Sequence, residues 1–249
     1  MDLLIIFIFG LIIGSFLNVC ISRLPKGESV VFPSSRCEAC NTRLRFFDLV
    51  PVASFLLLKG KCRYCGFKLS WRYPGVEIIT GILFVLIYLT RDWNARLISD
   101  FFWTSLLLVI SFIDMDYYRI PDSLILIGLG AGLIFQIFIP SLSLSESILG
   151  FITGGGILFL FALISRGGMG GGDIKLGALA GVFLGWKLVI LSLFLAALFA
   201  SATGLFLIVT KRKSRKDPIP FGPFLSLGAF ISLFWGNHLV LWYLSYFVK

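Results

Sequence analysis

Residues 168–186 read GMGGGDIKLGALAGVFLGW. Four glycines in five positions lead into Asp173 and Lys175, and an apolar stretch rich in Gly and Ala follows at once. A carboxylate at the mouth of so hydrophobic a segment raises the question of what solvent the chain lives in. The remainder of the 249 residues answers it: 58% are apolar, 26 are Phe and only 14% are charged, and the mean hydropathy is +0.96. That leaves too little polar surface for a water-soluble globule of this length. The chain reads as an all-α polytopic membrane protein.

A spanning helix needs roughly 20 mostly apolar residues. Eight segments qualify, at about 3–21, 77–90, 98–114, 122–139, 148–164, 174–186, 188–209 and 225–248. The sixth is short and small-residue-rich, which suits close packing among other helices. The chain opens MDLLIIFIFG with no cation before Arg23, so 3–21 reads as a permanent first helix and not as a cleaved signal. Three parts follow: a first helix at 1–21, a polar loop domain at 22–76 and a transmembrane core at 77–249.

Orientation comes from the cations, which short loops retain on the cytoplasmic side. Placing the 22–76 loop there puts eighteen of the 22 Lys and Arg on that face, against Arg91, Arg96, Lys187 and Lys249 on the other. The net charge of +9 is then accounted for by topology and anionic headgroups, with no nucleic acid needed as a partner.

Four of the five cysteines form two pairs in the loop, Cys37 and Cys40 in CEAC, and Cys62 and Cys65 in CRYC. Two C-x-x-C knuckles at this distance have the spacing of a four-thiolate zinc site. Disulfides or a redox-active pair are the competing readings, and a reducing cytoplasmic compartment argues against the first. Zinc with all four positions filled by thiolate has no open site for water, so its role would be structural. LVPVASFLLL (49–58) is too short to span and reads as an interfacial or loop-packing segment.

Only 13 residues are acidic, and four gather near predicted cytoplasmic helix ends: Asp114, Asp116 and Asp122 in FIDMDYYRIPDSL, and Asp173 in the glycine run. An aspartate at the bilayer centre costs on the order of 3 kcal/mol, which makes acids at membrane depth functional candidates. Helix capping would account for Asp122 or Asp173 singly. It would not account for Gly170, Gly171 and Gly172, which suit strained backbone or the close approach of another chain. Two aspartates from different helices sharing one proton would suit peptide hydrolysis. A proton-coupled transporter with a broken helix, or a lipid-modifying enzyme holding magnesium, are the readings from other classes. His238, in WGNHLVLW, reads as an interfacial residue with no assigned role.

At this point the motifs resemble a known family. GLIIGSFLNVCISRLP (10–25), SSRCEAC (34–40) with GKCRYC (60–65), LSWRYPGVEIITG (69–81), FIDMDYYRIPD (112–122), GMGGGDIKLG (168–177) and PIPFGPFL (218–225) are similar to the signatures of the type IV prepilin peptidases of bacterial pilus, type II secretion and competence systems. The resemblance implies a membrane aspartic endopeptidase of the inner membrane. Its substrates would be prepilins or pseudopilins, cut after a glycine at the cytoplasmic face and then N-methylated, usually on Phe, with S-adenosylmethionine as donor. By position in the motifs it implies Asp122 and Asp173 as the catalytic pair. Asp114 and Asp116 would support them, with Gly170, Gly172 and Lys175 beside them; Lys175 reads equally as a cation tuning an aspartate or as an interfacial anchor. The donor site has no motif of its own, and Asn18, Arg72 and Glu77 are the polar residues at the loop's membrane edges that would contribute.

Overall fold

The computed structural model describes residues 1–91, 93–139, 142–165, 168–214 and 217–247. Of the cations counted above, Arg166, Arg215, Lys216 and Lys249 lie outside the described residues. Helices dominate, and the described residues contain no β-strand. In chain order they are α1 (Asp2–Arg23), α2 (Ala53–Leu57), α3 (Arg72–Thr90), α4 (Arg96–Tyr117), α5 (Asp122–Phe138), α6 (Leu144–Ile164), α7 (Gly171–Val209) and α8 (Gly222–Phe247). Six of them (α1, α3, α4, α6, α7 and α8) are long and apolar enough to cross a membrane, while α5 is a shorter apolar helix of 17 residues.

α7 comprises two helices joined at a kink, and they cover the two segments expected at 174–186 and 188–209. The run is broken at Gly185, whose φ of 73° and ψ of 170° lie outside any helix. Only glycine adopts that conformation freely, so the break falls at Gly185 and not at the charged Lys187. The α3 helix starts at Arg72, earlier than expected, because Pro74 sits in its first turn, where a missing N–H costs nothing. LVPVASFLLL folds as the short α2, with Phe55 buried and its ring 4.8 Å from Trp71, so it packs within the loop.

Two compact units divide the chain at Val109 and Ile110, within α4. In the N-terminal unit α1 and α3 meet along a small-residue seam. A Cβ on Gly10 would lie 2.6 Å from the Gly81 Cα, and one on Gly14 would lie 2.7 Å from the Glu77 Cα, so α1 and α3 touch backbone to backbone. In the same unit Phe84 stacks on Phe101 at 4.2 Å, and Trp103 is fully buried.

In the C-terminal unit α6 runs antiparallel to the first half of α7 on the same principle. A Cβ on Gly150 or on Gly154 would come within 2.1 Å of the carbonyl oxygen of Gly181 or Gly177 respectively. Ser143 and Glu146 close a capping box at the start of α6. α8 packs along the second half of α7, with Gly228 against the Ser192 carbonyl. The outward faces are apolar, as at Ile137, Phe138, Ile164 and Val209, each more than 70% exposed. Such surface is stable only in lipid.

Candidate active site and metal centre

The four loop cysteines converge: one sulfur from each lies within 4.8 Å of all the others. They are free of disulfides. The two knuckles are built alike. Cys37 N–H donates to the Thr42 carbonyl and Asn41 N–H to the Cys37 carbonyl; Cys62 N–H donates to Phe67 and Gly66 N–H to Cys62. Each turn closes with a residue at positive φ, Asn41 at 53° and Gly66 at 72°. Asn and Gly are the residues that tolerate that region. A tetrahedral site with Zn–S bonds of about 2.3 Å has sulfur–sulfur edges of about 3.8 Å, and Cys37 Sγ lies 3.8 Å from Cys65 Sγ.

The knuckles also favour thiolates. Hydrogen bonds from the Thr42 hydroxyl and backbone N–H pull the Cys40 thiol down to about 6, and the N–H groups of Tyr64 and Cys65 lower Cys62. Cys65 goes the other way, to about 12: the Phe67 N–H favours its thiolate, but desolvation and the hydrogen bonds shared with the other three sulfurs retain its proton. Four sulfurs this close need a cation before all can ionise. Behind the second knuckle, Asp48 accepts from Arg63 Nε at 2.7 Å and from the Tyr64 hydroxyl at 2.9 Å.

In the C-terminal unit the acidic residues separate into different environments. Asp114, on the last turns of α4, is buried, and its Oδ2 accepts the Gly222 N–H at 2.9 Å. Gly222 is the first residue of α8, so Asp114 satisfies one of that helix's unpaired donors and sits at the positive end of its dipole. A Cβ at 222 would stand 2.8 Å from Asp114 Oδ2, which is why the position is glycine. Lys213 steadies the approach to α8, donating to the Pro218 carbonyl at 2.8 Å and to the Tyr118 hydroxyl at 3.3 Å.

Asp173 is half-buried in the first turn of α7. The N-cap of that helix is Gly170, whose carbonyl accepts the Asp173 N–H at 3.1 Å and at which a Cβ would stand 3.3 Å from Asp173 Oδ2. The charged neighbour that acts on Asp173 is Asp114. None of the described glycines in the run lies at positive φ. Closeness, not unusual backbone conformation, is what they supply. A Cβ on Gly172 would stand 3.0 Å from the Ile120 Cβ, while Gly171 borders open space.

Asp122 is placed differently from the sequence expectation. Pro121 is the N-cap of α5, and Asp122 follows as an exposed first residue whose side chain caps nothing. Its carboxylate pairs with Lys175 Nζ at 2.6 Å, with the two side chains 66% and 50% exposed. Among the described contacts none joins Asp122 to Asp173. The physical reason is register. Asp114 lies on the inward face of α4, whereas the proline turn leaves Asp122 at the surface, where Lys175 neutralises it. Asp116 is also exposed, near the end of α4.

In the N-terminal unit Asn18 and Glu77 are 4% and 7% exposed. Asn18 Nδ2 donates to the Tyr73 carbonyl at 3.0 Å, and Glu77 Oε2 accepts the Val52 N–H at 2.8 Å. Arg72 opens α3 nearby, its N–H bonded to Ser70 Oγ. The residue that sequence reading missed is Gly222. The only local signal was a Gly-Pro step inside PIPFGPFL, and nothing in that string names a carboxylate 108 residues away.

Comparison with known proteins agrees with this division. Residues 8–91 match the family described as Bacterial Peptidase A24 N-terminal domain, and residues 101–205 match the Type IV leader peptidase family. A prepilin leader peptidase/N-methyltransferase of Aeromonas salmonicida (strain A449) is 34% identical, over 97% of this chain and 93% of its own length. The proteins of the same name from Bacillus subtilis (strain 168) and Pseudomonas aeruginosa are 33% and 32% identical, over 97% and 96% of this chain and 97% and 92% of their own lengths. No solved structure matches. With a buried carboxylate beside the glycine signature, a four-sulfur centre in the loop, and relatives similar over nearly the whole length, this chain belongs to the type IV leader peptidase family.

Proposed function

We propose that this multi-pass membrane protein removes the leader of type IV prepilins or pseudopilins through Asp114 and Asp173, cutting after a glycine at the cytoplasmic face, and then methylates the new N-terminal amine. Both activities are those of the family. The observation that carries the residue assignment is the burial of Asp114, whose Oδ2 takes the first N–H of α8, in the same unit as half-buried Asp173 in the first turn of α7.

Two carboxyls that act on one scissile bond do not both ionise readily, so the pair would hold one proton between them. The ionised member takes a proton from water as its oxygen attacks the scissile carbonyl. The protonated member delivers its proton to the amide nitrogen as the C–N bond breaks, and the two carboxyls have then exchanged roles. The Gly222 N–H fixes the rotamer of Asp114. Open space at Gly171 supports the approach of an extended substrate strand. Lys175 neutralises Asp122 at the rim and acts by positioning. Asp116, also at the rim, supports the pair without touching the reacting bond.

The four cysteines would hold a structural zinc ion, and the loop is cytoplasmic by the charge count. S-Adenosylmethionine supplies an electrophilic methyl group when bound. The test is mass spectrometry of a synthetic prepilin incubated with the purified protein and S-adenosylmethionine. The expected product is cut after the leader glycine and carries one added methyl; an untouched substrate refutes the reading.

A further inference from the structure

A cavity of about 670 Å³ in the N-terminal unit lies against α1, the metal loop and the start of α3. It has the size of small-molecule sites. Ser15, Asn18 and Glu77 line it from the helices, and Glu28 and two of the clustered cysteines, Cys37 and Cys62, line it from the loop. Nothing in the hydrolytic chemistry above uses it.

Its helical wall contains an unfinished polar arrangement. Asn18 is buried and its amide nitrogen is satisfied by Tyr73, yet Asn18 Oδ1 has no hydrogen-bond partner. Buried acceptors are nearly always paired, and one that is not calls for a donor from elsewhere. Beside it Glu77 is a buried carboxylate held by the Val52 N–H. Val52 adopts φ 59° and ψ −50°, a costly conformation for a β-branched residue. Backbone strain of this kind persists where the surroundings impose it, most often at functional sites. Here it aims an N–H at Glu77.

We propose that this cavity is the methyl-transfer site, in which Asn18 Oδ1 and Glu77 receive the amine to be methylated and the loop side holds the sulfonium nucleoside donor. The inference rests on the methyltransferase reading given above. Its logic is positional. In the function proposed above the acceptor amine is formed at the membrane face, so the site must open beside membrane helices, and Asn18 and Glu77 sit on two of them. A protonated amine offers the donors that an orphan amide oxygen and a buried carboxylate require. One proton passes from the ammonium to Glu77 or through it to water, freeing the lone pair. The nitrogen then forms the N–CH3 bond as the C–S bond breaks, and the electron pair left on sulfur converts the sulfonium to a neutral thioether. Because Cys37 and Cys62 form part of the wall, loss of the metal loop would disturb this step directly.

The test uses the full-length protein in detergent and a synthetic acceptor peptide that already begins with Phe, so a defect in cleavage cannot imitate a defect in methylation. Donor binding is read by equilibrium dialysis with tritiated S-adenosylmethionine in the presence of that peptide, and methylation by mass spectrometry, for wild type, Asn18→Leu and Glu77→Gln. Both variants should retain bound zinc yet methylate at least about tenfold more slowly, as expected when a buried polar partner is lost. Ultraviolet crosslinking of the labelled donor to wild type provides a readout independent of variant folding, and the label should map within residues 15–77. Unaltered methylation in both variants, or label confined to residues 110–249, overturns the site. A wild type that binds no donor and methylates nothing overturns the methyltransferase reading itself.

Discussion

Replacing Asp114 by Asn separates the two possible aspartate pairs most sharply. Asn keeps the shape and can still accept the Gly222 N–H through its carbonyl oxygen, so α8 keeps its contact. What it loses is the ability to exchange a proton with Asp173. Positioned acid–base groups contribute about 10² to 10⁴ in rate, which is about 3 to 5.5 kcal/mol of barrier. Asp122→Asn removes an ion pair whose two side chains are half or more exposed. Such pairs are worth about 0 to 1 kcal/mol, so even if all of it reached the transition state the loss would be about fivefold. The assay is the initial rate of leader cleavage at saturating synthetic prepilin, with each variant matched for bound zinc and thermal stability. Cleavage by Asp114→Asn within tenfold of wild type, or a hundredfold loss in Asp122→Asn, refutes the assignment of Asp114 and returns Asp122 to the chemistry.

Three further outcomes follow from the same geometry. Gly222→Ala places a methyl group 2.8 Å from Asp114 Oδ2, so cleavage should fall at least about tenfold while methylation of a precut peptide is unchanged; equal loss of both activities would point to misfolding. Cys37→Ser with Cys62→Ser should abolish one-to-one zinc content and expose residues 22–71 to limited proteolysis, because metal binding supplies much of the folding energy of such loops; a protease-resistant loop without metal would overturn the structural role. Asp48 is desolvated, but bonds from Arg63, the Arg45 N–H and Tyr64, with the Arg63 charge, hold its carboxyl below the usual range. A depressed carboxylate stabilises the fold above its unfolded pKa of about 4. That contribution disappears as pH falls through the folded value. The stability gap between wild type and Asp48→Asn should therefore be full at pH 6 and narrow below about pH 4, measured by thermal melting so that acid release of metal, common to both, cancels. A gap constant with pH would exclude the ionic role.

The parts of this protein that were legible in its sequence are those whose physics is local. Hydropathy marks the helices because lipid demands apolar residues wherever a helix faces it. The cysteine set is legible because a tetrahedral metal centre needs two short-range pairs, and CEAC and CRYC provide them. The carboxylate pairing is not local. FIDMDYYRIPD offers three aspartates, and only the turn at Pro121 decides that Asp114 faces inward while Asp122 meets Lys175. The break in α7 was misplaced by a few residues because Lys187 is the more visible interruption, whereas the helix gives way at Gly185, where the backbone can leave helical geometry. Asn18 and Glu77 could be named as polar residues at a membrane edge, but the cavity that joins them depends on how the loop folds over α1 and α3.

The bond between Asp114 and Gly222 also carries information about timing. Asp114 emerges from the ribosome 108 residues before the amide that orients it, and insertion proceeds from the N-terminus. Until α8 has entered the membrane and docked, the carboxylate on α4 has no fixed rotamer. A nascent or C-terminally shortened chain would therefore carry the whole glycine signature and still be inert toward the peptide segments of its neighbours, so that hydrolysis begins only when synthesis has finished.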